Sequence, residues 1–238
     1  MEWWDERAHM ENKVASQKWF RLFRECRGEA LTTWVSTFHA EKLPCTLVSN
    51  DLSDDFRGWY NWACVVVFDN KEKWVVRFPI PGKVMNPDEK VEIEVATIKV
   101  IRQQTDIPVP EVKAWGLANE NVLGIGPFIM SSFVEGFNLF DLLKDRTKPD
   151  SNLIRQDISD RDFDVIFRQI AKFMLNLSKL DFARIGSLSR ESERGNGSYA
   201  ATVHLRPMTW KANTIREHMG VDVLGMYESL IDLFSESF

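Results

Sequence analysis

Residues 74 to 104 read WVVRFPIPGKVMNPDEKVEIEVATIKVIRQQ. The stretch reads as a strand, a Pro/Gly loop and a long helix, and each regular element carries one charge where an apolar residue is expected. Trp74, Val75, Val76 and Phe78 are β-branched or aromatic, as a sheet interior prefers, and Arg77 interrupts them. The helix has a clear start. Asn86 can cap it, Pro87 suits its first turn, and Glu89 stands three residues after the cap, as in a capping box. At helical spacing Val91, Glu94, Val95, Ile98 and Ile101 fall on one stripe, while Asp88, Glu92, Lys99 and Gln103 share a polar one. Glu94 therefore sits inside an apolar face, and a carboxylate there is costly unless paired. The nearest unexplained cation in sequence is Arg77. Two arrangements fit these facts. Arg77 and Glu94 meet across the strand and helix, or Arg77 lies on an edge strand with its head in water and Glu94 snorkels at the rim of the stripe.

The whole chain sets bounds on what this stretch can belong to. Its 238 residues are 44% hydrophobic and 27% charged, which is ordinary globular composition and enough for one large domain or two small lobes. A net charge of −5 argues against a nucleic-acid binder, which would show a basic face. Cys26, Cys45 and Cys64 are widely spaced, form no CxxC pair and make no even set. That points to a reducing compartment, and the cytoplasm is the expected location. No apolar run approaches the roughly 20 residues of a membrane span, so no membrane association is expected. The start, MEWWDERAHMENK, is too acidic and polar for a signal or transit peptide.

Upstream of the deciding stretch, Glu2 to about His39 reads as helical, with a break near Gly28. Trp19, Leu22, Phe23 and Cys26 recur at helical spacing, as do Leu31, Trp34, Val35 and Phe38, and mixed charge between them marks packing helices. Lys42 to Asp55 is polar and turn-rich. Gly58 to Asn61 forms a tight loop before an apolar strand at Ala63 to Phe68, and a turn at Asp69 to Lys73 leads to the strand with Arg77. One glycine is a weak phosphate-loop signal and on its own reads as a plain turn. Downstream, Thr105 to Pro110 stops the helix. Strands are expected at Val112 to Trp115 and Pro127 to Phe133, then a glycine-marked crossover at Val134 to Gly136 and a short helix from Leu139 to Leu143. Phe163 to Leu180 is strongly amphipathic, Ser192 to Ser198 reads as a surface loop, and Trp210 to Met219 and Val223 to Phe234 read as further helices. The expected fold class is α+β, with a twisted antiparallel sheet and helix 87–104 on one face. The expected division is a helical extension over 1–49, a sheet lobe and hinge over 50–136, and a helical region over 137–238.

Four pieces in this order resemble the fungal aminoglycoside-phosphotransferase family of the protein-kinase-like superfamily. They are GWYNWACVVVFDNKEKWVVRFPIPGK, EVATIKVIRQQTDIPVPEVKAWG, GPFIMSSFVEG and FRQIAKFMLNLSKLDFARIGSL, and the similarity spans roughly residues 50 to 220. No piece is specific alone; their order is. The resemblance implies a kinase-like fold, with an antiparallel-sheet N-lobe and its αC helix followed by an incomplete helical C-lobe. It implies ATP as the nucleotide, ATP-dependent phosphoryl transfer to a small-molecule hydroxyl, and Mg²⁺ in a complete enzyme. Arg77 would stand at the family's phosphate-binding strand cation and Glu94 at its helix glutamate, the pairing kinases use to hold nucleotide phosphates. Gly58 to Asn61 would lie over the phosphates. Ser132, Phe133 and Val134 would form the hinge that offers backbone groups to adenine, with Ser131 near the gatekeeper position. Arginine for lysine at position 77 is not a neutral exchange, because a planar fork can bridge carboxylate and phosphate bidentately.

The chain also departs from that pattern. The family's catalytic loop is a His-x-Asp motif followed by Asn, with a later Asp that holds metal. None of His9, His39, His204 and His218 is followed two residues later by Asp. The pairs Asp162-Phe163 and Asp181-Phe182 precede the place where the loop belongs and read as structural. The expectation is thus a family member whose chain stops before the catalytic loop, unable to transfer phosphate as it stands. The alternatives are a non-catalytic, pseudokinase-like nucleotide-binding or interaction protein, and an α+β binding module with no nucleotide site. Helices 163–180 and 223–234 are expected to expose apolar surface open to a protein partner. The resemblance names no acceptor, since one fold hosts many substrates.

Overall fold

The structure, a computed structural model, describes residues 2–147, 153–182 and 188. The chain divides into two compact units. The first takes in Met1–Val100 and Pro110–Phe133, the second Ile101–Val109 and Val134–Asp181.

The first unit is built on a mixed α and β arrangement around one antiparallel sheet of six strands. In chain order these are β1 (Cys45–Leu47), β2 (Phe56–Arg57), β3 (Asn61–Phe68), β4 (Lys73–Pro79), β5 (Val112–Gly116) and β6 (Phe128–Ser132). The sheet runs β1-β3-β4-β6-β5, and β2 also pairs with β3. Strand alternation divides the residues between two faces. Trp62, Cys64, Val66 and Phe68 of β3, Trp74, Val76 and Phe78 of β4, and Phe128 and Met130 of β6 all enter one buried core.

Two N-terminal helices close that core. Helix α1 (Glu2–Cys26) supplies Trp19 and Phe23, and α2 (Glu29–Ser36) supplies Leu31, Trp34 and Val35. The break expected near Gly28 falls there, where φ of 127° suits glycine. Trp34 meets Phe128 edge-on with ring centroids 4.6 Å apart, and Phe20 meets Trp62 likewise at 4.6 Å. The buried Trp19 Nε1–H donates to the Ile125 carbonyl at 2.8 Å, so the indole's polar edge is satisfied inside the core. Truncating a residue such as Phe23 or Phe78, both fully buried, to alanine is expected to cost about 3–5 kcal/mol.

Helix α3 (Pro87–Gln104) lies against the opposite face, where Val91 and Val95 pack with Ile129, Val112 and Trp115. Its buried residues are Val91, Val95 and Val100; Glu94, Ile98 and Ile101 are half-buried. Strands expected at 63–68, 74–79, 112–115 and 127–133 and the helix at 87–104 are all present within two residues.

The sequence reading overlooked β1 and β2. Strand β1 lies inside the segment read as turn-rich and β2 follows directly after it, and both are too short to show alternation. What fixes this segment is Arg27, at the end of α1. Its guanidinium makes a bidentate pair with Asp55 at 2.8 and 3.0 Å, and donates to the carbonyls of Ser49, Asn50 and Asp51. The Trp62 indole donates to the same carboxylate at 2.8 Å. Arg27 and Asp55 side chains are only 6% and 5% exposed, so the chain between β1 and β2 wraps around a buried charge pair.

In the second unit, α4 (Leu139–Leu143) is capped by Asn138, whose side chain accepts from the Phe140 N–H at 2.9 Å. Helix α5 (Asp160–Ser178) is capped by Ser159, which accepts from the Asp162 N–H at 3.1 Å. Phe167, Ile170 and Met174 of its amphipathic pattern are exposed. The loop 192–198 and the helices expected at 210–219 and 223–234 lie outside the described residues. No helix among the described residues is long and apolar enough to cross a membrane.

Candidate functional site

Arg77 lies in the middle of the sheet. Its neighbours in register are Ala63 on β3 and Ile129 on β6, so the edge-strand alternative does not apply. Alternation turns Arg77 away from the aromatic core and toward the face carrying α3. There its Nη2 meets Glu94 Oε1 at 2.7 Å. The expected contact between strand cation and helix carboxylate is therefore present. The two side chains are 29% and 28% exposed, and the contact with Glu94 uses one of the guanidinium's five N–H donors.

Two further residues belong to the cluster. Lys90, one helical turn before Glu94, places Nζ 3.0 Å from Glu94 Oε2 and 3.2 Å from Asn61 Oδ1. Asn61 opens β3, so a continuous chain of polar contacts runs Asn61, Lys90, Glu94, Arg77 across β3, α3 and β4. Asn61 was singled out with the glycine loop, but Lys90 was not. The signal was available, since a lysine and a glutamate four apart on a helix are neighbours.

Gly58 and Asn61 bracket a tight turn between β2 and β3, closed by a 2.9 Å hydrogen bond from the Gly58 N–H to the Asn61 carbonyl. Trp59 at its tip is 83% exposed. Gly58 has no left-handed φ, and a Cβ there would meet only the Asn61 carbonyl oxygen at 3.5 Å, an ordinary contact. The turn thus does not require glycine.

Val65 on β3, Val75 on β4 and Ser131 on β6 pair directly across the sheet, Val65 with Val75 and Val75 with Ser131. All three are half-buried and lie on the same face as Arg77. They form a small, mainly apolar floor beside the cation. At the end of β6, the Ser132 N–H donates to the Glu111 carbonyl at 2.8 Å and the Phe133 N–H to the Lys73 carbonyl at 3.0 Å. The Glu111 N–H in turn donates to Ser132 Oγ at 2.9 Å. Two of the three amides expected to form a hinge are therefore engaged within the chain. Lys73 Nζ also stands 5.4 Å from the Phe133 ring centroid. Val134 is exposed and belongs to the second unit.

Asp162 serves the cap of α5, accepting from Ser159 Oγ–H at 2.8 Å, and Phe163 is part of that helix, in keeping with a structural role. Among the described residues no group of three or more His, Cys, Asp or Glu side chains is placed to hold a metal ion. A Mg²⁺ site is therefore not assigned to any of them.

No protein-family model matches this chain, and no curated protein matches it.

Proposed function

We propose that this chain is a nucleotide-binding, protein-kinase-like polypeptide related to the aminoglycoside phosphotransferases, and that ATP is its ligand. The observation that carries the reading is the Arg77–Glu94 pair at 2.7 Å, which joins the middle of β4 to α3. A partly buried ion pair is by itself weak evidence for stability, and the same guanidinium is well suited to a phosphate. Glu94 fixes one edge of the guanidinium, and the remaining N–H groups can address a phosphoryl oxygen as charge-assisted donors. The antiparallel sheet, its single long helix between β4 and β5 and the glycine-marked crossover after β6 support a kinase-like lobe. The apolar floor of Val65, Val75 and Ser131 suits the flat face of a base.

Adenine would be read differently from the expectation. The Ser132 and Phe133 amides are already bonded within the chain and so are not left to read the base edge. The triphosphate fits the residues present better than the base edge does. These 238 residues contain no His-x-Asp sequence. Orientation of an acceptor hydroxyl is accordingly not ascribed to them, and what we assign to this chain is binding. Positioning and charge stabilisation account for nearly all catalysis of phosphoryl transfer, so a chain without the acceptor-orienting groups is expected to show no turnover.

The test is a titration of the purified chain with labelled ATP, alongside a turnover assay. Arg77→Ala should weaken binding by about tenfold or more, the worth of one charge-assisted hydrogen bond. Unchanged affinity in Arg77→Ala would refute the role given to the pair, and no ATP binding by the wild-type chain would favour the α+β binding module with no nucleotide site. Robust turnover by the chain would overturn the restriction to binding.

A further inference from the structure

The Arg77 cluster holds more positive charge than its carboxylate can offset. Arg77 and Lys90 each take one oxygen of Glu94, and Asn61 adds only a neutral carbonyl dipole. Among the described residues these are the polar partners of the two cations. Lys90 is the more deeply set, its side chain 13% exposed against 29% for Arg77. A partly buried cation in excess of its counter-ions is unfavourable until an anion joins it. The ammonium has three donors, of which Glu94 and Asn61 accept two.

From this arrangement we propose that Lys90 is a second phosphate-binding cation, acting with Arg77 on the same polyphosphate group. The proposal deepens the nucleotide reading and rests on it. Because the two cations occupy the two oxygens of one carboxylate, adjacent phosphoryl groups of one ligand can meet both. Asn61 has a positioning role. Its Oδ1 holds Lys90 while its backbone carbonyl closes the Gly58 turn, so the turn and the lysine are fixed by one residue. The ligand chemistry selected is a polyanion of at least two phosphates, since two cations set on a shared carboxylate gain most from a ligand that presents several oxygens.

The experiment is calorimetric titration of the whole chain with ATP and with inorganic tripolyphosphate at fixed ionic strength, for wild type, Lys90→Met, Lys90→Arg and Arg77→Ala. Thermal unfolding checks that each variant is folded. Lys90→Met should lose about tenfold or more in affinity for both ligands, the effect of removing one charge-assisted contact, and Lys90→Arg should recover most of it. Should Lys90→Met not fold, Lys90→Gln removes the charge while keeping a hydrogen-bonding group near Asn61, and the same loss is expected. If wild type binds ATP and loses affinity in Arg77→Ala but not in the Lys90 variants, the proposal is overturned and the nucleotide reading stands. If wild type binds neither ATP nor tripolyphosphate, the nucleotide reading itself fails and takes the proposal with it.

Discussion

Replacing Asp55 with asparagine tests the physical link between the end of α1 and the strand that leads into the Gly58 turn. The carboxylate makes two contacts with Arg27, at 2.8 and 3.0 Å, and both side chains are almost wholly buried. Removing one partner of a buried pair leaves the other charge uncompensated, at a cost of about 3–5 kcal/mol. The carbonyls of Ser49, Asn50 and Asp51 still accept from the guanidinium, which places Asp55→Asn near the lower end. At about 2–4 °C per kcal/mol for a protein of this length, the midpoint of thermal unfolding should fall by about 6–12 °C. Urea denaturation followed by tryptophan fluorescence gives the free energy directly, with the midpoint shifted and the slope unchanged. The double variant Arg27→Met with Asp55→Leu should recover much of the loss, because no buried charge is left unpaired. A loss below about 1 kcal/mol, the worth of an exposed pair, would refute the reasoning and show that the segment between β1 and β2 is held by something else.

Three other outcomes follow from contacts described above or beside them. Glu72 accepts from the Trp74 indole at 2.8 Å and from Lys113 at 3.0 Å, and these hydrogen bonds, the indole's first, hold its carboxyl below the ordinary value of 4.5. A depressed carboxylate stabilises the fold above its unfolded pKa and ceases to as pH falls through its folded one. Glu72→Gln should therefore be less stable than wild type at neutral pH and equal to it in acid, as urea titrations at several pH values would show; a pH-independent difference would sink the idea. Gly58→Ala should leave stability and fold unchanged, whereas Gly82→Ala should destabilise clearly, because φ there is +80° and a Cβ would stand 2.3 Å from the Asn12 carbonyl oxygen; equal midpoints for the two variants would contradict that geometry. Burial pushes the Cys64 thiol up to about 12, so a thiol reagent should leave it unmodified until the chain unfolds, while half-buried Cys26 reacts first. Rapid native labelling of Cys64, read by peptide mass spectrometry, would count against the sheet core.

Much of the sheet was legible because β3 and β4 are long, nearly unbroken runs of β-branched and aromatic residues bounded by turn signals. Arg77 and Glu94 stood out for the same reason, each as a charge in an apolar pattern, and a misfit of that kind is visible without coordinates. The strands β1 and β2 were not legible. Three and two residues cannot show a period, and their pairing comes from β3 and from Arg27, which is 28 residues away from Asp55 in the chain. Lys90 was passed over because a lysine on a helix is ordinary; its meaning depends on Asn61 arriving from β3. The amphipathic helix was expected from Phe163 but begins at Asp160, since Ser159 caps it and the polar first turn carries no apolar signal. That the Ser132 and Phe133 amides are bonded within the chain was hidden for a comparable reason. Whether a backbone amide is available depends on strand register, which composition does not encode.

The two borders of the sheet have a consequence for how copies of this chain meet one another. An unpaired strand offers a ladder of donors and acceptors on which a second molecule can add a strand of its own. One border here is broken into the short pieces β1 and β2. At the other, β5 takes an extra residue at Lys113 between the pairs Val112–Ser131 and Ala114–Met130, so its ladder is interrupted and a charge is set into the gap. Lys113 is held there by Glu72 and Glu111, at 3.0 and 3.1 Å. The apolar strands best suited to seeding cross-β stacking, β3 and β4, are interior and paired on both sides. Both borders of the native sheet are thereby poor templates for strand addition by a second copy, and detachment of β5 or of the β1–β2 border would expose better ones.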